Sequence, residues 1–273
     1  MKEVQRRLQL ALMLFLLVTA IGTVGFMVLE ELSFIDAFYF NIVTMSTVGF
    51  GDIHPTSEVG RLFAVFLIIM GGAAFLGVIA NATEMIILRK EAEMRMRKVN
   101  MVLGVFFAEV GNTLLEIFTP HDQELDKIKE HLLISAGWSA KNFAAARTIL
   151  DHHRIDIDMD RLELADLRIF LHSKRDFLVG LMENPVLVEH EEFSELLLAV
   201  FHLLDEMDSR ESLIGLPATD LKHLNIDINR AYGKLTVQWL AYLGHLRQQY
   251  PYLFSLAVRK NPFDPKANPI VDH

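Results

Sequence analysis

The chain has no cysteine among its 273 residues, which excludes disulfides, thiolate metal ligands and thiol redox chemistry. That absence is compatible with a cytoplasmic setting for its water-exposed parts. It has no Ser/His/Asp order, no Walker loop and no H-E-x-x-H, so catalysis has no positive support. Proline is scarce, with eight residues, and three of them fall in the loose tail NPFDPKANPIVDH. With 52% hydrophobic residues, the composition excludes disorder. Basic residues are also short, 26 Lys and Arg against 35 Asp and Glu. The deficit is not uniform: residues 1–98 carry nine of each sign, so the net charge of −9 belongs to residues 99–273. An acidic domain repels phosphates and argues against nucleic acid as a partner.

Charge is missing altogether from two runs of 22 residues, 8–29 and 62–83. Each would span about 33 Å as a helix, enough for a hydrocarbon core of roughly 30 Å. The first run is longer than the apolar core of a signal peptide and lacks a small-x-small cleavage site. Lys2, Arg6 and Arg7 precede it, and Arg89, Lys90, Arg95, Arg97 and Lys98 follow the second run. Basic residues at both far ends predict a multi-pass protein of the cell (plasma or inner) membrane with both termini cytoplasmic. Residues 89–98 also suit contact with anionic lipid.

Between the runs, residues 33–47 (SFIDAFYFNIVTMST) are apolar and aromatic but too short to span, with Ser33 placed to cap a short helix. Such a segment reads as re-entrant, and non-helical backbone at that depth is tolerated only inside protein or against a water-filled cavity. It ends in Thr47-Val48-Gly49-Phe50-Gly51-Asp52.

The stretch from Asp36 to Asp52 resembles the pore helix and filter of two-transmembrane prokaryotic potassium channels, and the likeness covers roughly residues 8–90. The fold expected is an all-α membrane protein with two transmembrane helices, a re-entrant pore helix and a filter loop, followed by an all-α cytosolic domain. By the resemblance, the carbonyls of Thr47, Val48, Gly49 and Phe50, with the Thr47 hydroxyl, line the K⁺ sites. Gly49 and Gly51 suit the positive φ that alternating backbone handedness requires. Val48 and Phe50 would point outward into pore-helix packing. Each chain would supply a quarter of every oxygen ring, which implies a homotetramer. No cofactor is expected, only K⁺ as the permeant ion.

Phe50 stands where the family more often has Tyr and removes a hydroxyl that ties the filter down. Asp52 resembles the acidic residue of the outer mouth, either attracting cations or pairing with its own pore helix. Gly71 and Gly72 lie where the family's inner helix carries a gating hinge, although close packing would also explain them. Gly72, Phe75, Ile79 and Thr83 share a helical stripe and are candidates for the inner pore wall. Glu84 near the cytosolic end is a candidate acidic ring or a partner for Arg89 or Lys90. No Arg-repeat voltage sensor is present in the sequence.

The domain division expected is a pore domain at 1–98 and an acidic helical domain at 99–273. Residues 91–98 would continue the inner helix, and 100–118 would form a buried cytosolic helix, at a tetramer interface or otherwise, in preference to a third span, which Glu109, Asn112 and Glu116 would interrupt. Gly104 and Gly111 do not fit G-x-G-x-x-G, and no cyclic-nucleotide cassette is seen. Helices are expected from Thr119-Pro120 to about 137, at 140–153, about 159–182, 189–208, 219–223, 226–249 and from Pro251. His152, His153, Asp156 and Asp158 are candidate ligands for a divalent ion, against the plainer reading of an acidic helix entrance. His121, His131, His190 and His202 are candidate proton sensors. The functional reading is a K⁺-selective channel whose helical domain assembles or gates it. The alternatives are a weakly selective cation channel, or a membrane-anchored sensor or scaffold acting through the helical domain.

Overall fold

The computed structural model describes residues 2–188 and 190–270. The chain is helical, and among the described residues its only β pairing is an isolated antiparallel bridge between Asp122 and Ile157. It divides into two compact units, Met1–Met94 and Arg95–His273.

The first unit holds α1 (Lys2–Leu29) and α3 (Glu58–Phe106) as far as Met94, and both helices are long and apolar enough to cross a membrane. Between them lies α2 (Phe34–Met45), opened by Ser33, whose Oγ accepts from the Asp36 amide at 3.2 Å. A small core of Val18, Phe26, Ala37, Phe40, Met45, Ala64 and Leu67 joins the three helices. Phe26 anchors it, edge-on to Phe40 and to Phe63 with centroids 4.7 and 5.1 Å apart. Such pairs contribute about 0.5–1.5 kcal/mol beyond their burial. Small residues set the approach: Gly60, Ala64, Gly71 and Ala74 share the buried side of α3 with Leu67. The outward sides of α1 and α3, from Leu10 to Val28 and from Leu62 to Ile79, are rich in exposed Leu, Ile and Val. In water that surface would be unfavourable, whereas lipid accepts it.

The second unit is built around α10 (Ala218–Gln249), which packs along α9 (Glu191–Asp208), α5 (Ala140–His152), α11 (Pro251–Arg259) and α4 (Asn112–Phe118). The segment expected as one helix over 100–118 is the end of α3, a π-helical turn at Phe107–Gly111, and α4. Its Phe106, Phe107, Val110, Leu114, Leu115 and Phe118 are buried in the unit's own core, so one chain suffices to cover them.

Three helix expectations need correction. From Thr119 to about 137 the chain forms three 3₁₀ turns rather than a helix. Asp122 leaves helical geometry at ψ 108, and the bonds Gln123 N–H to Asp156 O (3.0 Å) and Asp158 N–H to His121 O (2.9 Å) hold it there. The expected helix over 159–182 is two, α6 (Leu164–Ser173) and α7 (Arg175–Met182), because the Lys174 amide closes onto Leu171 O and turns the chain. Both pieces pack on α9, and a short α8 (Pro185–Val188) follows. The two helices expected at 219–223 and 226–249 are instead the single α10. Asn225 stays within it, accepting from Asn229 Nδ2 at 2.8 Å rather than starting a new cap.

Candidate functional site

The loop after α2 begins as a continuation of its hydrogen bonding. The amides of Val48 and Gly49 both donate to Val43 O, at 3.1 and 3.3 Å, and the Thr47 amide donates to Thr44 O at 3.1 Å. The backbone then alternates in handedness. Thr47, Gly49 and Gly51 have φ of 63°, 57° and 79°, while Val48 and Phe50 are not among the positive-φ residues. Positive φ at both glycines fits the sequence reading. At Thr47, a β-branched residue, it is a conformation of order 1–3 kcal/mol above the ordinary one, which only an over-determined local structure sustains. A Cβ built on Gly49 or Gly51 meets nothing within 4 Å, so their requirement is conformational rather than steric. Successive carbonyls of such an alternating segment can be turned to the same side, and the segment follows immediately on the C-terminal end of α2. The negative end of the helix dipole therefore favours a cation near this loop.

The side chains of Val48 and Phe50 are 54% and 70% exposed on the single chain, so α2 does not cover them. Asp52 does pair with α2: the Tyr39 hydroxyl donates to its Oδ2 at 2.8 Å. That hydrogen bond holds the Asp52 carboxyl below its usual range.

Two side chains given no role by the sequence fix the position of α2 and of the loop's far end. Asn41 is fully buried, and its Nδ2 donates to Thr19 O at 2.8 Å. It fits only because residue 22 is glycine, whose added Cβ would stand 2.6 Å from Asn41 Oδ1. Glu30 accepts from the amides and hydroxyls of Thr56 and Ser57 at 2.6–3.2 Å, capping the start of α3 and closing the 31–57 excursion. Those hydrogen bonds, Ser57's first, lower its pKa to about 2. The only advance signal for Asn41 was a polar residue inside an apolar helix.

On α3, Gly71 is buried where an added Cβ would collide with the Met45 side chain, whereas Gly72 has open space beside it. Ile79 and Thr83 are exposed. Phe75 is turned toward α1, with its ring 6.0 Å from that of Phe15. Glu84 and residues 89–98 are exposed.

The candidate metal ligands in the second unit need correction: among the described residues His152, His153, Asp156 and Asp158 form no ligand group. The His152 ring contacts Thr148 O of its own helix at 2.8 Å, and His153 is buried with Nε2 4.0 Å from Asp122 Oδ2. Asp158 Oδ1 accepts from the Asp160 amide, and the backbone of 156–158 is taken up by the pairing with 121–123. Consecutive residues here face different sides of the chain.

Two families match. Residues 13–87 match one described as ion channel, and residues 95–259 match the C-terminal helical domain of uncharacterized protein MJ1433. The MJ1433 protein of Methanocaldococcus jannaschii is 46% identical over 184 residues, covering 67% of this chain and 74% of that protein. The calcium-activated potassium channel slo-1 of Caenorhabditis elegans is 42% identical over 62 residues, covering 23% of this chain and 5% of that channel. The loop with alternating handedness lies within the ion-channel match, and the other match covers the acidic helical unit up to residue 259. The chain thus belongs to the MJ1433 family through its C-terminal helical domain, and its N-terminal part is an ion-channel domain of the potassium-channel family.

Proposed function

We propose that the chain is one subunit of a homotetrameric, K⁺-selective channel in which residues 47–51 form the selectivity filter. The alternating φ at Thr47, Gly49 and Gly51, held at the C-terminal end of an apolar helix between two long apolar helices, is the observation that carries this reading. Dehydrating K⁺ needs rings of oxygens around an axis, and one chain brings one strand of such rings. The uncovered Val48 and Phe50 are apolar side chains that a neighbouring subunit's pore helix would bury. Gly72, Ile79 and Thr83 are left as the inner-wall candidates, with Phe75 committed to Phe15. Both termini lie in the cytoplasm of a cell membrane, with residues 89–98 near anionic headgroups, and the helical domain assembles or gates the pore.

Phe50 lacks the hydroxyl that would brace a filter, which is the argument for a weakly selective pore. The Tyr39–Asp52 hydrogen bond braces the same segment from the other side. The test is K⁺ uptake against Na⁺ uptake by liposomes holding the purified full-length protein, with Gly49→Ala as the control. K⁺-selective, Ba²⁺-sensitive uptake that the variant abolishes is the expected result. Equal Na⁺ uptake overturns selectivity, and absence of flux over a range of pH and divalent ions moves the function to the helical domain alone.

A further inference from the structure

His202 and Glu206 stand one turn apart on α9, and His223 and Asp227 stand one turn apart on α10. The two pairs face each other. Asp227 Oδ2 lies 3.5 Å from His202 Nε2 and 3.6 Å from His223 Nε2. Glu206 Oε2 lies 3.6 Å from His223 Nε2, and its Oε1 lies 3.9 Å from His202 Nε2. Ligand atoms of Glu206, His223 and Asp227 all fall within 4.8 Å of one another, and His202 stands outside that group on the Asp227 side.

These separations are too wide for hydrogen bonds, whose N···O distances run about 2.7–3.2 Å. Those of 3.5 and 3.6 Å are close to the edge of a metal-centred tetrahedron, which for bonds of about 2.0–2.1 Å is about 3.3 Å. Asp227 supplies the independent pointer. Its side chain is 2% exposed, and its Oδ2 has no hydrogen-bond partner. A buried carboxylate oxygen left so is costly unless a cation meets it.

The surrounding cations hold the carboxylates without filling the centre. Arg230 donates to Asp227 at Oδ1 (2.8 Å), which leaves Oδ2 toward the imidazoles. Arg210 donates to Glu206 Oε2 (2.9 Å) while it engages both oxygens of Asp220, which leaves Oε2 a second lone pair beside His223 and Oε1 on the His202 side. Carboxylates oriented by such outer donors are what a metal site needs.

We infer that the helical domain binds a divalent first-row transition-metal ion, with zinc as the reference, through Glu206, His223 and Asp227, with His202 as the fourth ligand. Imidazole nitrogen beside carboxylate oxygen favours this class over Mg²⁺ or Ca²⁺. The ion bolts α9 to α10, the two helices at the centre of the domain's core.

The test uses the full-length protein in detergent, stripped with chelator and titrated with ZnCl₂ alone, read by bound metal per chain and by thermal unfolding. One zinc per chain and a raised unfolding midpoint are expected. Affinity should fall at least about 10-fold in His223→Ala and in Glu206→Gln, the scale seen even for losses around a metal site. Both residues are partly exposed, so both variants fold. His152→Ala with His153→Ala, and Gly49→Ala, keep full binding, the latter separating this site from the pore reading. Cobalt in place of zinc should give a visible spectrum that His223→Ala abolishes. Failure to bind zinc, or binding unchanged in His223→Ala and Glu206→Gln, overturns the assignment.

Discussion

The hydroxyl of Tyr39 donates to Oδ2 of Asp52 across 2.8 Å, joining the middle of α2 to the end of the glycine-containing loop. Val43 O holds the other end of that loop through the Val48 and Gly49 amides. The alternating segment is therefore fastened at both ends to one helix. Tyr39→Phe removes only the outer fastening. It should lower the ratio of K⁺ to Na⁺ permeability in liposome flux while leaving total conduction in place. A ratio equal to that of the parent would mean that the hydrogen bond does not support the filter.

Asn41 and Gly22 are a fitted pair, with side-chain atoms of the one occupying the space a Cβ on the other would need. Gly22→Ala should cost about 1–3 kcal/mol by overpacking. Asn41→Ala removes one hydrogen bond to the Thr19 carbonyl, which keeps the Thr23 hydroxyl, and leaves a cavity, so it also destabilises. Together the two changes should cost less than their sum, because the second makes room for the first. Thermal unfolding of the four proteins in detergent measures that coupling; strict additivity would contradict the fit.

Glu30 yields a dependence on pH of fixed sign. Its folded pKa is about 2 against 4.5 for the ordinary carboxyl, so its charged form is the one the fold favours. The stabilisation is fully present above about pH 4.5 and is lost as pH falls toward 2. Glu30→Gln should be less stable than the parent at neutral pH, and the gap should close on acidification through that window. A gap independent of pH would assign the effect to packing.

Asp122 behaves in the opposite sense. Burial raises its pKa, and its Oδ2 has no hydrogen-bond partner; His153 stands 4.0 Å away. A carboxyl raised in the fold stabilises it most below the ordinary value of 3.8 and loses that contribution as pH climbs through the raised value. Asp122→Asn should therefore raise the unfolding temperature at neutral pH and flatten its dependence on pH. A lower midpoint at neutral pH would mean that the charge itself is needed there.

How far the sequence could be read depended on the range of the physics. The two spans, the short helix and its Ser33 cap follow from local hydropathy and capping, and positive φ at Gly49 and Gly51 follows from the absence of a Cβ. Thr47 was hidden, since nothing local favours positive φ at a β-branched residue. The break at Lys174 carries no Gly or Pro to announce it. The candidate metal ligands were sought among neighbours in sequence, 152–158, whereas the group that converges comes from one-turn pairs on two different helices. The pattern His-x-x-x-Glu at 202–206 and His-x-x-x-Asp at 223–227 was visible, but only the packing of α9 on α10 brings the halves together.

Gly71 and Gly72 allow bending and packing to be told apart. A Cβ at 71 would press on Met45 of α2, so Gly71→Ala should destabilise by about 1–3 kcal/mol regardless of any hinge. A Cβ at 72 enters open space, so Gly72→Ala should gain about 1 kcal/mol from helix propensity. If opening the pore bends α3 here, that same gain opposes opening, and Gly72→Ala should unfold at a higher temperature yet pass less K⁺. If it unfolds later and conducts as before, α3 does not need to bend at this pair, and the glycine at 71 is there to let Met45 in.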